Sequence, residues 1–435
     1  MGFAGPRFGA LTTLPIPQSP QTSSMRLAPA LAATLCALPA AALLLPAQPP
    51  PRPSSQKQPT RREALGGLIA AALWPAGAAV AEEEYELVVQ QAALLSGLAR
   101  APARNIIVTG ASSGVGLAGA KILTAAGHSV TLACRTQAKA DAAARACMDY
   151  AAGATGGPAT ASPYGLADFA AARRSGGVAR GAECNLAALS SVRSFAGSFT
   201  GPLDTLVLNA GLSLNVGDDK EQFTADGFEL TVGTNHLGHF ALADALLPTL
   251  AKGTKPRLVV TASGVHDPAS EGGKQGGPDK WAHLGSMDGL AGGKGFTMAD
   301  GGKYDPDKAY KDSKLANMLF MAEASRRYAG KVTVNAFSPG LIADPNGFFR
   351  NQNKLFANAF NGITQKAGVG ETNDFAGSAL AFLAVDPALE GQTAGWYDAL
   401  PLGKHSLAKH APSVEARDAA EAKRLWELSQ KLVAV

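Results

Sequence analysis

The sequence predicts an α/β protein built on a doubly wound parallel sheet, and three observations carry that prediction. From residue 104 onward, short β-rich runs alternate with helical stretches, the pattern of a parallel sheet covered on both faces. The first of these runs passes directly into a glycine-rich turn and then a helix. A chain of 435 residues, 46% hydrophobic and 17% charged, has enough apolar material for one large core with appended segments.

Residues 1–81 read as a targeting region. Met25-Arg26 precedes a nearly polar-free run from Leu27 to Ala47, broken by Pro29 and Pro39. It has the character of a signal-peptide h-region, with a transmembrane helix as the alternative at this length. The following PPPRPSSQKQPT is Pro-rich, basic and free of acids, like part of a transit peptide. Arg61-Arg62, an apolar stretch from Leu65 to Val80 and the ending Ala79-Val80-Ala81 then have the form of a twin-arginine signal with a small-residue cleavage site. Three addresses in series suit a plastid reached through the secretory route, with final delivery to the thylakoid lumen. A stromal protein with a long transit peptide is the alternative. Residues 82–103 are read as a linker and 104–435 as a single domain with insertions.

Charge follows this division. Residues 1–81 hold six basic residues and one acidic, which leaves 33 basic against 34 acidic for the remainder. A nearly neutral body offers no electrostatic footprint for nucleic acid. Cys36, Cys134, Cys147 and Cys184 show no C-x-x-C spacing, so neither a disulfide framework nor a zinc site is indicated.

Strands are expected at NIIVT (105–109), SVTLA (129–133), AECNL (182–186), DTLVLN (204–209), RLVVTA (257–262) and VTVNAF (332–337), with helices between them. Residues 150–180, rich in Gly, Ala and Ser, are expected to form a surface insertion, and 266–304 a second one.

The first strand runs into TGASSGVG, 109–116, and the helix LAGAKILTAAG. Gly110, Gly114 and Gly116 permit a tight turn and a close backbone approach, which places a pyrophosphate at a helix N-terminus, as in a Rossmann-type sheet. The second strand ends at Cys134-Arg135, where an NAD enzyme would carry an acid for the ribose hydroxyl. Arginine suits a 2′-phosphate instead, so NADPH is the cofactor expected, with Lys139 one turn on either adding charge or lying solvated.

Tyr310 and Lys314, in AYKDSKLANMLF, stand four apart at the front of a helical apolar run and share one face. An ammonium beside a phenol favours phenolate and lowers its pKa toward working pH, where the phenol can pass a proton. A half-exposed helix face without chemistry is the alternative for the pair taken alone.

The strand, the T-G-x-x-x-G-x-G turn, Asn209-Ala210-Gly211, a serine after the fifth strand and Tyr-x-x-x-Lys together resemble the short-chain dehydrogenase/reductase family. By position, the resemblance implies that Ser263 orients the reacting group, Tyr310 donates the proton, and Lys314 lowers its pKa and binds the nicotinamide ribose. Asn235 would hold a proton-relaying water. The cofactor contacts implied are Thr109, Gly110, Ser112, Ser113, Gly114, Gly116, Arg135 and Lys139, then Asn209, Ala210 and Gly211, and finally Pro339, Gly340 and Ile342. His236 and His239, at i and i+3, are read as packing residues rather than a metal pair, and no metal is expected.

A narrower match is carried by GSMDGLAGGKGFTMADGGKYDPDKAYKDSKLANMLFM (285–321), TADGFELTVGTNHLGHF (224–240) and the tail AKRLWELSQKLV (422–433). These resemble the light-dependent protochlorophyllide oxidoreductase branch, across about 104–435. The resemblance implies hydride passing from NADPH to C17 of protochlorophyllide and a proton reaching C18 after the bound pigment absorbs light, a step of chlorophyll biosynthesis. Three departures stand on the pigment side: Leu341, Ala316 and Leu208 each occupy a position where that branch has cysteine. Leucine can fill the space but cannot donate a proton.

Residues 341–370 would cover the nicotinamide and form a substrate lid, with Leu341, Phe348 and Phe349 against the substrate and Leu355, Phe356 and Phe360 on the same apolar side. The ligand is then protochlorophyllide or another large apolar small molecule. Peripheral contact with the thylakoid membrane and an oligomeric state are both compatible with this surface, while an amphipathic core helix is the alternative. A light-independent carbonyl or enone reductase, and a pigment- or NADPH-binding protein without turnover, are the other functions carried forward. The signal reading makes one direct prediction: N-terminal sequencing of the native protein finds a start near Glu82, and retention of residues 61–81 contradicts it.

Overall fold

The computed structural model describes residues 85–153, 174–215, 220–344, 351–352 and 354–434. The targeting region, most of the 150–180 insertion, and Phe348 and Phe349 lie outside the described residues, as does the side chain of Phe356.

Among the described residues one sheet of nine strands organises the fold, in the order β1-β9-β8-β7-β6-β5-β2-β3-β4. In chain order these are β1 Leu87–Gln90, β2 Asn105–Thr109, β3 Ser129–Cys134, β4 Val178–Glu183, β5 Thr205–Leu208, β6 Arg257–Thr261, β7 Thr333–Ser338, β8 Trp396–Asp398 and β9 Ser406–His410. Strands β2 to β8 pair in parallel, and β8-β9 and β9-β1 are antiparallel. The principal helices are α1 Gln91–Ser96, α2 Gly114–Ala125, α3 Gln137–Ala151, α4 Leu189–Ser198, α5 Gly238–Leu250, α6 Pro306–Arg327, α7 Lys354–Lys366, α8 Asn373–Val385 and α9 Ala419–Val433.

The period of two along each central strand sorts side chains to opposite faces. Ile107, Leu206, Leu208, Leu258 and Val260 face a core shared with α5, α6 and α9, whereas Ile106, Val108, Val207 and Val259 face one shared with α2 and α8. The chain order reverses between β2 and β5, which opens a crevice at the carboxyl ends of the strands.

Five expected strands fall where they were read, within a residue at either end. The third does not: it spans Val178–Glu183 rather than 182–186. It is an edge strand paired only with β3, half exposed, and so lacks the buried apolar run that marks the others. The segment 82–103, read as a linker, is also corrected. Its β1 pairs with β9, and Leu94 and Leu98 behind it are fully buried against the sheet. The apolar spacing there is too short to show a strand by itself, and only the partner strand, more than 300 residues away in the chain, completes it.

The 266–304 insertion is tied down by charge and burial. Lys308 Nζ reaches Asp312 at 2.7 Å, Asp300 at 3.0 Å and the His283 carbonyl at 2.9 Å. Buried Asp312 accepts from the His283 amide at 3.0 Å, while Glu415 accepts from the Leu284 amide at 2.9 Å. Leu284, Met287 and Phe296 are thereby drawn into the core.

Helices α2 and α8 approach closely through glycines. A Cβ on Gly377 would lie 2.7 Å from Ala118 Cβ and 2.8 Å from the Gly119 amide. Gly377→Val is therefore expected to push the helices apart and cost about 1–3 kcal/mol, read by denaturant unfolding. An unchanged midpoint would contradict this packing.

Candidate active site

A continuous cavity of about 1900 Å³ occupies the crevice at the strand ends, and Ser263, Tyr310 and Lys314 line it with most of the expected cofactor residues. The wall nearest β2 comes from the turn that follows it. Gly110 has φ +66, and a Cβ there would meet Ala210 Cα at 2.7 Å; a Cβ on Gly116 would meet Asn209 Nδ2 at 2.5 Å. Glycine is thus required at both positions by backbone crossing. Helix α2 starts at Gly114 behind Ser113, which caps none of its amides with its side chain, and its first turn carries no acid. Open amides and the positive end of the helix face the cavity, the arrangement that binds a phosphate. Arg135 and Lys139 line the same end. This donor set fits a nicotinamide dinucleotide.

Behind that wall Thr109 is a hub. Its Oγ1 accepts from the Asn209 amide at 2.8 Å and the Ala210 amide at 3.0 Å, and lies 2.8 Å from His239 Nε2. His239 Nδ1 is 2.9 Å from the Asn235 carbonyl, which can only accept. Nδ1 therefore carries the proton and Thr109 donates to Nε2. Burial holds His239 down to about 4 and His236 down to about 3, so both imidazoles are neutral. His236 bonds Ser429 Oγ at 2.8 Å and fastens α9 to the turn that precedes α5. Among the described residues no cluster of His, Cys, Asp or Glu forms a metal site.

Asn235 sits in a π-helical turn, Gly233–Leu237, of the kind common at functional sites. Its Nδ2 donates to the Leu212 carbonyl at 2.9 Å and to Ser313 Oγ at 3.1 Å, and its Oδ1 accepts from the Leu212 amide at 2.9 Å. Both amide hydrogens are committed to these partners, and Asn235 clamps the segment after Asn209-Ala210-Gly211.

The Tyr310 phenol is hydrogen-bonded to Ser263. The pKa expectation is corrected. Burial holds the Tyr310 phenol well above its ordinary range, offset in part by the Ser263 bond. Lys314 Nζ stands 5.6 Å from the ring centroid and donates instead to the Thr261 carbonyl at 3.2 Å. Burial brings Lys314 itself down to about 8. Spacing placed the two on one face correctly, but helix spacing carries no information on desolvation.

Pro339, Gly340, Leu341 and Ile342 line the cavity, and Leu341 packs on Ala343 and Phe360. Phe360 lines the cavity, whereas Leu355 is 82% exposed. Two features escaped the sequence reading. Buried Glu229 caps the turn before Asn235 through the Thr231 and Val232 amides, and because Glu is not among the usual N-cap residues nothing local marked it. The His239 relay left no local signal, because its partner Thr109 is 130 residues away.

Comparison with known proteins agrees with this geometry. A family model described as short chain dehydrogenase matches residues 163–291. The chloroplastic protochlorophyllide reductase of Cucumis sativus is 38% identical over 342 residues, 76% of this chain and 77% of that protein. Protochlorophyllide reductase of Avena sativa is 38% identical over 345 residues, 75% of this chain and 99% of the relative. The crystal structure of an uncharacterized protein from Mycobacterium paratuberculosis superposes with a TM-score of 0.51 at 28% identity, over 78% of this chain and 97% of that one.

Lys314 makes a testable contribution to stability. Its folded value of about 8 lies below the ordinary 10.5, so the unfolded chain binds more protons between those pH values and stability rises with pH across that window. Lys314→Met removes the buried cation. It is expected to raise denaturant stability at pH 7, with the gain shrinking by pH 10; lower stability at pH 7 would contradict the burial cost.

Proposed function

The chain belongs to the short-chain dehydrogenase/reductase family, alongside the protochlorophyllide reductases, and on that premise we propose that it is an NADPH-dependent, light-driven reductase of protochlorophyllide. The observation that carries this reading is a Ser263-Tyr310 pair and Lys314 on the wall of a cavity of about 1900 Å³. Single-ligand pockets run roughly 300–1,000 Å³, so the space accommodates a dinucleotide and a second large, mainly apolar ligand. The relatives' plastid location, with the leader of residues 1–81, supports a plastid protein, and the twin-arginine form of Arg61-Arg62 supports the lumen as its final address.

Within this proposal Gly110, Ser112, Ser113, Gly114 and Gly116 hold the pyrophosphate by backbone and hydroxyl groups. Arg135, with Lys139, takes the 2′-phosphate. Asn209, Ala210 and Gly211, kept in place by Thr109 and Asn235, form the floor beneath the nicotinamide half. Pro339, Gly340 and Ile342 close over it. When bound, the reduced nicotinamide supplies a hydride to C17 of the pigment. Tyr310 holds its proton firmly, because burial disfavours the phenolate, and releases it to C18 only as negative charge develops there. Ser263 fixes the phenol's direction, and Lys314, a cation 5.6 Å from the ring centroid, favours the phenolate that remains.

A second reading is favoured by one observation. Leu341, where the light-dependent branch has cysteine, lines the cavity and packs on Phe360, and its side chain cannot donate a proton. A light-independent enone or carbonyl reductase would need only Tyr310. Residues 82–435, mixed with NADPH and protochlorophyllide and followed by absorption in darkness and after a flash, separate the readings. Chlorophyllide formed only after light is expected. Binding without conversion would leave a pigment-binding protein, and no pigment binding with dark turnover of small enones would establish the second reading. For the cofactor, Arg135→Ala is expected to weaken NADPH about tenfold or more and NADH little; equal loss of both would remove the 2′-phosphate role.

A further inference from the structure

Behind the loop that follows β7 lies a buried ionisable pair that the proton chemistry above does not use. Glu371 stands two residues before α8 and His405 one residue before β9, and they are 1% and 7% exposed. Glu371 Oε2 and His405 Nδ1 are 2.5 Å apart. Glu371 also meets the loop at two points. Its amide donates to the Leu341 carbonyl at 2.9 Å, and a Cβ on Gly340 would lie 2.6 Å from Glu371 Cγ. The height of Gly340 and Leu341, both on the cavity wall, is therefore set by where Glu371 sits.

His405 is fixed from the other side. It holds φ +50, a region that residues with side chains seldom occupy. Its amide donates to Glu371 Oε1 at 3.3 Å, its carbonyl accepts from the Gln91 amide at 3.1 Å, and Phe375 meets its ring edge-on at 5.7 Å. The neighbouring charges lie elsewhere: Lys404 is exposed, and Asp374 interacts with Lys121. Burial raises the Glu371 carboxyl to about 7 and lowers the His405 imidazole, so the contact can hold a proton near neutrality without a net buried charge. Removing either partner leaves the other buried without its match.

We propose that Glu371 and His405 are positioning residues for the cofactor: their contact holds Gly340 and Leu341 at the height from which the loop closes over the nicotinamide half of the dinucleotide. Neither side chain touches the ligand. Their effect passes through the Glu371 amide and the stem of its side chain, and it is confined to the nicotinamide end, because the turn after β2 and Arg135 hold the other end independently. The inference rests on the cofactor half of the proposed function.

The test compares equilibrium binding of NADPH with that of adenosine 2′,5′-bisphosphate, a fragment with the 2′-phosphate end and no nicotinamide. Glu371→Leu is expected to weaken NADPH about tenfold and to leave the fragment within about twofold. Glu371→Gln, which keeps the shape with one donor and one acceptor, should recover most of the loss. His405→Asn, a residue that tolerates positive φ but is too short to reach Glu371, should show the same selective loss as Glu371→Leu and serves where that variant does not fold. Unchanged NADPH affinity in Glu371→Leu or His405→Asn would overturn the positioning role and leave the proposed function standing. Equal loss of NADPH and the fragment would mean general loosening of the fold and would also overturn it. A parent protein that binds neither ligand would overturn the cofactor reading itself.

Discussion

The hydroxyl of Thr109 is the contact on which the site depends. It stands at the carboxyl end of β2, where the sheet reverses its winding order, and accepts the Asn209 and Ala210 amides that would otherwise be left open at the end of β5. Donation to His239 Nε2 then fixes the imidazole tautomer, and His239 Nδ1 fixes the Asn235 carbonyl. Through the Asn235 side chain the same chain of bonds reaches Leu212 and Ser313, beside Lys314 on the reactive helix. Thr109, His239, Asn235 and Ser313 at its centre are buried, which makes the network rigid and intolerant of partial loss.

Burial sets the chemistry as firmly as it sets the scaffold. Tyr310 is kept protonated and Lys314 is brought to about 8 by the same desolvation. The site thus stores a proton donor beside a cation that is costly to keep dry. Stability is given up at Lys314 for a poised acid at Tyr310, the usual tension between folding and function at a buried active site.

Much of this was legible in the chain, and the divisions follow physical range. NIIVT followed by TGASSGVG identified β2 and the turn after it, because glycine demand and strand alternation are local. Tyr310 and Lys314 were placed on one face by helical period alone. Ser263 came with the family resemblance, and the fold brings it within hydrogen-bonding reach of Tyr310. Properties set by distant partners were not legible. Strand β1 needs β9, the His239 tautomer needs Thr109, and the phenol's raised pKa needs a buried cavity that no i, i+4 spacing reports. The amide hydrogens of Asn235 went to Leu212 and Ser313, partners that only the fold brings within reach.

The role of Tyr310 as proton donor is the claim most directly open to test. Single-turnover kinetics on the preformed complex with NADPH and protochlorophyllide would compare the parent with Tyr310→Phe. The expected result is retained binding of both ligands and a rate lower by about 10²–10⁴-fold. Turnover at the parent rate would contradict the assignment and with it the reading of the Ser263-Tyr310 pair as the reactive centre.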